Sequence, residues 1–280
     1  MGAMTMWYDE LGKISYHTKI APQIFLMKIK LPKISTSIHP GQFVNIQVNG
    51  AYDQKEDSFA TIISDPLLRR PISVYDVCPQ EGELSIMYQV VGRGTQILSS
   101  QAEGTRLKVM GPLGNGFSLD EGQKVALVSG GIGIAPLYLL SKKLASNNCQ
   151  PHLLAGFSGE EQVRLLQDFH ELNNMNIKLA TDDGSAGYHG QVTDLLKNFL
   201  SSYQEQIDMV VTCGPEIMMK KVVDLATRAN LPVKLSVERK MACGVGACLG
   251  CTCESVDNQS YKHACIDGPV FWGNEVKLNG

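Results

Sequence analysis

The hydrophobic pattern of the chain changes near residue 120. Before that point, short apolar runs with partial alternation recur between Gly, Pro and Asn/Asp positions, which is typical of strands in a small antiparallel barrel. Helical periodicity in this part is confined to residues 94–100, and the Gly- and Pro-rich stretch 111–117 is expected to be an irregular loop that closes the barrel. The predicted strands are 24–29, 43–48, 72–77 and 84–91.

After residue 124, apolar strands alternate with helical segments. This alternation predicts an open parallel sheet with helices on both of its faces. The predicted strands are 125–129, 152–157, 177–181, 209–212 and 233–237, and the predicted helices are 136–145, 160–172, 191–200 and 216–229. We therefore expect a multi-domain β and α/β chain, with a barrel at 8–118, an α/β domain at 119–237 and a small C-terminal subdomain at 238–280.

A glycine-rich turn joins the first strand of the α/β part to its first helix. Glycines let the backbone approach a pyrophosphate, and the helix N-terminus faces it, although the spacing is not G-x-G-x-x-G. Cys213-Gly214-Pro215 follows another strand end, where open sheets bind ligands; its thiol is placed to border a nicotinamide, but packing is the commoner role of a buried cysteine. The candidate dinucleotide-binding residues are Gly130, Gly131, Gly133, Ala135, Pro136, Cys213, Gly214 and Pro215.

The strand ends of the α/β part carry acidic residues at 160–161 and 182–183. A 2′-phosphate is held by basic side chains, and the sequence offers no cluster of Arg and Lys at these positions. The pattern favours NAD over NADP.

Four cysteines near the C-terminus have the spacing C-x4-C-x2-C followed, after thirteen residues, by a fourth cysteine. This is the plant-type spacing for a [2Fe–2S] cluster, and Gly244, Gly246 and Gly250 allow the close turns that wrap a cluster. A zinc site is the alternative, although zinc ribbons use two separated C-x2-C pairs, and disulfides are a second one. We expect Cys253 to point away from the cluster if its segment is extended. The candidate metal ligands are Cys243, Cys248, Cys251 and Cys265.

Composition bears on three further questions: nucleic-acid binding, membrane insertion and cellular compartment. The 280 residues carry a formal charge of −3, from 25 basic and 28 acidic residues, and no basic run stands out, so nucleic-acid binding is not expected. No apolar run approaches the length of a membrane span, and the N-terminus lacks the layout of a signal peptide. Eight cysteines without a leader favour a reducing compartment, and we expect a cytoplasmic protein.

Two segments of the barrel part carry groups that bind anions. The segment 70–73 places an arginine and a serine at a strand start, and the turn at 91–95 places free N–H groups and a hydroxyl at a helix start. Each has a plainer alternative: a solvated sheet edge for the first and an N-capped turn for the second.

The order of these parts resembles the ferredoxin-reductase superfamily. Within it, the chain is similar to the electron-transfer subunits of NAD-dependent dihydroorotate dehydrogenases. Related subunits of flavin-bifurcating transhydrogenases can carry aspartate in place of one cluster cysteine, whereas this chain keeps all four cysteines. The segments that carry the resemblance are 69–73, 91–95, 130–137, 213–215, 238–248 and 265–271.

The resemblance implies three cofactors: FAD in the barrel, NAD in the α/β domain, and a [2Fe–2S] cluster on the four cysteines. It also implies a partner, an FMN-containing dihydroorotate dehydrogenase catalytic subunit, docked around 243–251 in a heterotetramer of two of each chain. The implied FAD contacts are Arg70, Pro71, Ile72, Ser73, Met87, Tyr88, Gln89, Gly94 and Thr95.

The activity implied by the resemblance is electron transfer in pyrimidine (orotate/UMP) biosynthesis. Electrons would pass between the partner's FMN and NAD through the cluster and the FAD, and the chain needs no catalytic acid or base of its own. One alternative is an NAD(P)H:acceptor reductase subunit that serves a ferredoxin-, sulfide- or hydrogenase-linked partner. A second is a zinc-binding regulator on a reductase-like scaffold.

Overall fold

The computed structural model describes residues 6–48, 66–120, 122–147, 149, 151–203 and 206–278. In its first part, six antiparallel strands close into a barrel in the order β1-β2-β5-β4-β3-β6. Short helices, α1 (Pro32–Ser35) and α2 (Arg93–Ser99), and a 3₁₀ turn (Pro79–Glu81) connect the strands. The barrel strands are β1 (Tyr8–Ala21), β2 (Ile24–Lys30), β3 (Phe43–Gln47), β4 (Arg70–Cys78), β5 (Glu83–Gln89) and β6 (Arg106–Leu113).

The strand that closes the barrel extends into the stretch expected to be a loop. Gly111 and Leu113 belong to β6, where Gly111 pairs with Tyr8 of β1 and Leu113 pairs with Phe43 of β3. The expectation of an irregular loop over all of 111–117 was therefore wrong. Pairing with two distant strands decides this structure, because strand formation depends more on neighbouring strands than on local propensity.

Strand β3 presents two different faces. Val44 and Ile46 are fully buried in the barrel core, together with side chains of β5 and β6. Phe43 lies on the opposite face and belongs to a second core, which also contains Met110 and three cysteines of the C-terminal segment, Cys251, Cys253 and Cys265. The alternation of side chains along a strand thus places one face of β3 inside the barrel and the other against the C-terminal segment.

The α/β part is a seven-stranded sheet in the order β10-β9-β8-β7-β11-β12-β15. All of its pairs are parallel except the one between β12 and β15. Its strands are β7 (Val125–Gly130), β8 (His152–Phe157), β9 (Asn176–Thr181), β10 (Tyr188–His189), β11 (Met209–Cys213), β12 (Val233–Ser236) and β15 (Val270–Trp272). The helices that cover it are α3 (Ala135–Ser146), α4 (Gln167–His170), α5 (Val192–Tyr203) and α6 (Glu216–Arg228).

The helix expected at 160–172 divides into two pieces. A 3₁₀ helix spans Glu160–Leu166, and only α4 is α-helical. Val163, Leu166 and Phe169 all pack into the core of the α/β part. Their spacing of three residues suits the 3₁₀ repeat, in which side chains at i and i+3 lie above one another.

The C-terminal segment is attached to the α/β sheet. Strands β13 (Thr252–Glu254) and β14 (Tyr261–His263) form a small hairpin, and β15 adds an antiparallel edge next to β12. Phe271 is buried in the core, whereas Trp272 is 40% exposed and lies under the Lys234 ammonium at 4.5 Å from the ring centre.

The barrel and the α/β part are joined to each other by polar and aromatic contacts. The Tyr75 hydroxyl donates a 2.7 Å hydrogen bond to the Asp168 carboxylate, and the Tyr75 ring stacks on Tyr138 with 4.5 Å between ring centres. Lys142 pairs with Asp76 at 2.8 Å. These contacts join β4 to α3 and α4. In the part of the chain that the structure describes, no helix is both long and apolar enough to cross a membrane.

Candidate functional site

A cavity of about 280 Å³, the barrel cavity, opens where the barrel, the α/β part and the start of the C-terminal segment meet. Eight of the nine barrel residues expected to contact FAD line it: Arg70, Pro71, Ile72, Ser73, Met87, Tyr88, Gln89 and Thr95. The opposite wall includes Ile132, Ala135 and Pro136 after β7, and Val237, Glu238, Arg239 and Met241 before the cysteines. Ala135 and Pro136, expected at the dinucleotide site, therefore face this cavity.

The ninth residue, Gly94, supports the arginine of the cavity. A Cβ atom at Gly94 would lie 2.0 Å from Arg70 Nε, so the guanidinium lies directly on this glycine. Arg70 Nη1 donates a 2.6 Å hydrogen bond to the Leu68 carbonyl, which fixes its direction. The absence of a side chain at position 94 is therefore a condition for the position of Arg70.

The hydroxyl of Thr95 closes the turn before α2. It accepts hydrogen bonds from the backbone N–H groups of Val91 and Gly92 at 3.0 and 3.2 Å, and donates to the Gly92 carbonyl at 3.0 Å. The plainer interpretation, a capped turn, thus describes what the hydroxyl does. Thr95 nonetheless lines the cavity.

A histidine that the sequence did not indicate holds Tyr88 of the cavity wall. His17 Nδ1 lies 2.8 Å from the Gln101 carbonyl, and its Nε2 lies 3.0 Å from the Tyr88 hydroxyl. Because a carbonyl only accepts, Nδ1 carries a proton, and in the neutral ring the Tyr88 hydroxyl donates to Nε2. Burial raises the pKa of Tyr88, so the phenol stays protonated.

The glycine-rich turn after β7 lines a second cavity of about 390 Å³, the glycine-turn cavity. Gly131 has φ +54° and Gly214 φ +152°, and a Cβ at Gly133 would lie 2.5 Å from the Cys213 carbonyl oxygen. Glycine is therefore required where the turn after β7 meets the turn after β11. The lining residues are Gln89, Gly130, Gly131, Ile132, Gly133, Gly214, Pro215, Glu216, Met219 and Glu238.

Cys213 itself lies beneath this surface. It is 2% exposed, and burial, with the nearby Glu238 carboxylate, raises the pKa of its thiol. A neutral thiol in the core fits the packing alternative considered for this residue.

A third cavity of about 380 Å³ shares Gly130, Gly131 and Pro215 with the second and extends along the strand ends to Asp182. Among its described lining residues, Lys221 is the only basic one, and its ammonium donates to the Gln191 amide oxygen at 2.8 Å. The scarcity of cations beside Asp182 accords with the preference for NAD argued from the sequence.

Glu238 lies where the first two cavities meet, since it lines both of them. Partial exclusion of water by the surrounding protein raises the pKa of its carboxyl group, although the residue as a whole is exposed. The sequence marked Glu238 only as part of a segment shared with a family, and no local pattern shows that it adjoins two cavities.

The cysteine loop, residues 243–251, directs several of its backbone N–H groups at cysteine sulfurs. The amides of Val245 and Cys248 lie 3.4 Å from Cys243 Sγ, that of Gly246 lies 3.2 Å from Cys265 Sγ, and that of Gly250 lies 3.4 Å from Cys248 Sγ. Gly244 and Gly246 have φ of +74° and +82°, a conformation that favours glycine.

The four sulfurs differ in exposure, and the pKa values of two of them are shifted in opposite directions. Cys251 and Cys265 are buried, with 3.2 Å between their sulfurs, whereas Cys248 is exposed. Hydrogen bonds from backbone N–H groups lower the pKa of Cys248 to about 7, while burial and the neighbouring Cys251 raise that of Cys265 to about 12. None of the eight cysteines of the chain forms a disulfide bond.

Comparison with known proteins identifies the family. The family of the iron-sulfur cluster binding domain of dihydroorotate dehydrogenase B matches residues 238–277, and an oxidoreductase NAD-binding domain matches 127–224. The electron transfer subunit of dihydroorotate dehydrogenase B (NAD(+)) from Clostridium acetobutylicum is 41% identical over 268 residues, covering 95% of this chain and 96% of its relative. The chain belongs to this family. The corresponding subunit from Desulforamulus reducens is 40% identical, covering 90% of this chain and 92% of the relative.

Solved structures place this family member in the ferredoxin-reductase fold. A chain of an NADH-dependent reduced ferredoxin-NADP oxidoreductase superposes with a TM-score of 0.82 at 33% identity, covering 99% of this chain and 92% of that one. The ferredoxin reductase of carbazole 1,9a-dioxygenase superposes with a TM-score of 0.68 over 83% of this chain and 70% of that one; at 16% identity this likeness concerns the fold alone.

The donor set of the cysteine loop fits a binuclear iron–sulfur centre. Such a centre takes two thiolates on each iron, and amide N–H groups around the sulfurs stabilise its negative charge. Among the described residues, no three His, Cys, Asp or Glu side chains lie close enough together to hold a metal ion. The amide contacts to the sulfurs of Cys243, Cys248 and Cys265 are of the kind that stabilises an iron–sulfur centre.

The argument from the sequence that left Cys253 out of the ligand set was wrong about strand geometry. In an extended strand, residues i and i+2 share a face, so spacing alone did not exclude it. Cys251 precedes β13, whereas Cys253 is within it and is buried beside the Arg239 guanidinium. Burial raises the pKa of the Cys253 thiol, and Arg239 opposes that shift.

Proposed function

We propose that this chain is the electron transfer subunit of an NAD-dependent dihydroorotate dehydrogenase of the cytoplasm. Dihydroorotate is oxidised on a partner subunit that holds FMN, and the electrons leave this chain as NADH, in the synthesis of orotate and UMP. The observation that carries the proposal is the junction of three sites in one chain. The barrel cavity and the glycine-turn cavity share Glu238, and the cysteine loop begins five residues later.

The residues present suit the three cofactors. When bound, FAD exchanges a hydride with the nicotinamide and the [2Fe–2S] cluster carries electrons one at a time. The FAD would be held by Arg70, Pro71, Ile72, Ser73, Met87, Tyr88, Gln89, Gly94 and Thr95. The dinucleotide would be held at Gly130, Gly131, Gly133, Ala135, Pro136, Cys213, Gly214 and Pro215, and the cluster by Cys243, Cys248, Cys251 and Cys265.

The side chains bind and orient rather than transfer protons. The Arg70 guanidinium matches the charge and the planar geometry of a pyrophosphate. The glycines after β7 let the backbone approach the second pyrophosphate, and the buried Cys213 thiol packs beneath them. These roles match the domain limits proposed for the chain: an FAD-binding barrel at 8–118, an NAD-binding part at 119–237 and a cluster subdomain at 238–280.

The partner would dock at the cysteine loop. Cys248 is exposed, and the apolar side chains of Leu249 and Ile266 beside it are 59% and 46% exposed. A partner that covers them brings its own cofactor close to the exposed edge of the cluster, and exposed apolar groups favour a stable complex. The heterotetramer of two of each chain is proposed from the resemblance to this family.

The visible absorption spectrum, recorded before and after anaerobic addition of NADH, tests the proposal. We expect flavin bands over broad iron–sulfur absorption, and bleaching of both by NADH. Flavin bands without the broad absorption would contradict the electron-transfer role after reconstitution with iron and sulfide has also failed. A protein that stays colourless after reconstitution with FAD, iron and sulfide would contradict the whole proposal.

A further inference from the structure

Asn45 carries a fully buried amide in the barrel. The residue is 1% exposed, and neither its Oδ1 nor its Nδ2 has a partner among the described residues. Leaving a buried polar group unsatisfied destabilises a protein, and buried amides nearly always have partners. An asparagine in this position therefore indicates a partner other than the residues that the structure describes.

Asn45 lies between the barrel cavity and the cysteine loop. On β3 it pairs with Pro71, which lines the cavity, and with Met110 of β6 on the other side. Phe43, two residues earlier on the same face of the strand, also lines the cavity. This is the face of β3 that meets the C-terminal segment.

The amide nitrogen lies against the residue after the first cysteine. A Cβ atom at Gly244 would lie 3.0 Å from Asn45 Nδ2, tight contact that glycine avoids. Cys243 precedes Gly244, and its sulfur already accepts from two backbone amides at 3.4 Å. Asn45 thus adds a side-chain donor at the end of the loop that faces the barrel cavity.

We propose that Asn45 Nδ2 donates a hydrogen bond to an inorganic sulfide of the [2Fe–2S] centre that the cysteines would hold, since no described sulfur is its partner. This inference rests on the proposed function. Hydrogen bonds to sulfur stabilise the reduced, more negative centre and so raise its reduction potential. Asn45 would thus tune the cluster from the side of the cysteine loop that faces the barrel cavity.

The test compares Asn45→Leu and Asn45→Ala with the wild type in the full chain loaded with both cofactors. The midpoint potential of the cluster is measured by a redox titration followed by electron paramagnetic resonance, and the Fe–S stretching frequencies by resonance Raman spectroscopy. We expect both variants to lower the cluster potential and shift the Fe–S frequencies, with the FAD potential unchanged. Thr212→Val is the control, because Thr212 is equally buried and its hydroxyl also lacks a partner among the described residues, but it lies in β11; it should leave the cluster potential unchanged.

Each other outcome decides against the inference in a different way. An unchanged cluster potential with unchanged Fe–S frequencies would overturn it. A shift of the FAD potential alone would assign the amide to the flavin and also overturn it. Loss of the cluster in both variants, with FAD retained, would give Asn45 a purely structural role. A wild type without a cluster would contradict the proposed function itself, which the wild-type spectrum shows separately.

Discussion

The Arg239 guanidinium forms an ion pair with the Glu216 carboxylate, which joins the segment leading to the cysteines to the first turn of α6. The two side chains are 14% and 26% exposed. Arg239 lines the barrel cavity and Glu216 lines the glycine-turn cavity, and Arg239 Nη1 also donates to the Glu238 carbonyl at 2.9 Å. One cation thus ties together the walls of the proposed flavin and dinucleotide sites.

Replacing Arg239 with methionine should weaken both the fold and the dinucleotide site. The variant keeps an unbranched apolar stem and removes the guanidinium, which leaves the Glu216 carboxylate without this cation. We expect a loss of roughly 1–3 kcal/mol in the free energy of unfolding, between the values for exposed and buried pairs, and a higher KM for NADH. Urea unfolding and NADH–dye assays measure the two effects.

Lys240→Met is the matched control for Arg239→Met, because it removes the neighbouring cation from an exposed side chain. It should change the free energy of unfolding by less than about 0.5 kcal/mol. If the two variants unfold at the same urea concentration and have equal KM values, the ion pair has no role in joining the two sites.

Replacing Gly94 with alanine should weaken FAD binding. The new methyl group would lie 2.0 Å from Arg70 Nε, so the guanidinium must move out of the cavity wall. Charge-assisted hydrogen bonds contribute about 1.5–3 kcal/mol each, and their loss predicts roughly 10- to 100-fold weaker binding. Titration of the flavin-free protein with FAD gives the dissociation constant.

Gly92→Ala is the control for Gly94→Ala, two residues away in the same turn. Gly92 has an extended backbone with φ −179°, and a Cβ atom there meets nothing within 4 Å among the described residues. It should bind FAD as the wild type does. Equal weakening by both substitutions would mean that the turn, and not the position of Arg70, determines the affinity.

The sites that could be predicted from the sequence are those whose binding residues lie close together along the chain. The spacing of four cysteines and the glycines after β7 report on short segments that wrap a cluster or approach a phosphate. The structure brings eight of the nine expected FAD residues to one cavity because β4, β5 and the turn before α2 are adjacent.

The elements that could not be predicted depend on distant partners. Strand β1 is fourteen residues long and mostly solvent-facing, so it carries little apolar alternation, and its pairing with β2 and β6 makes it a strand. His17 in that strand was missed for the same reason. Asn45 and Glu238 are single polar residues whose significance comes from what the fold places beside them.

Removing the Tyr75 hydroxyl should destabilise the contact between barrel and α/β part. In Tyr75→Phe the ring still stacks on Tyr138, but the Asp168 carboxylate loses its 2.7 Å hydrogen bond. Hydrogen bonds to charged groups contribute about 1.5–3 kcal/mol, and we expect the lower end because Asp168 is half-buried. Urea unfolding measures the change.

Tyr261→Phe removes the same hydroxyl from a side chain that is 69% exposed. It should leave the free energy of unfolding within about 0.5 kcal/mol of the wild-type value. If Tyr75→Phe is equally silent, the Tyr75–Asp168 hydrogen bond does not stabilise the junction.

Two cysteine variants separate the cluster ligands from the fifth thiol nearby. Cys248→Ser removes an exposed sulfur that accepts from the Gly250 amide, and we expect it to abolish electron transfer to the partner subunit while NADH–dye activity at the FAD persists. Cys253→Ala removes a buried thiol beside Arg239 and should keep the iron–sulfur absorption and the transfer. Iron content, absorption and both activities are measured on each variant. Loss of both activities in Cys248→Ser would contradict the separation of flavin and cluster roles, and loss of the cluster in Cys253→Ala would make Cys253 a ligand. The expected contrast follows from the direction of the amides, four of which converge on Cys243, Cys248 and Cys265.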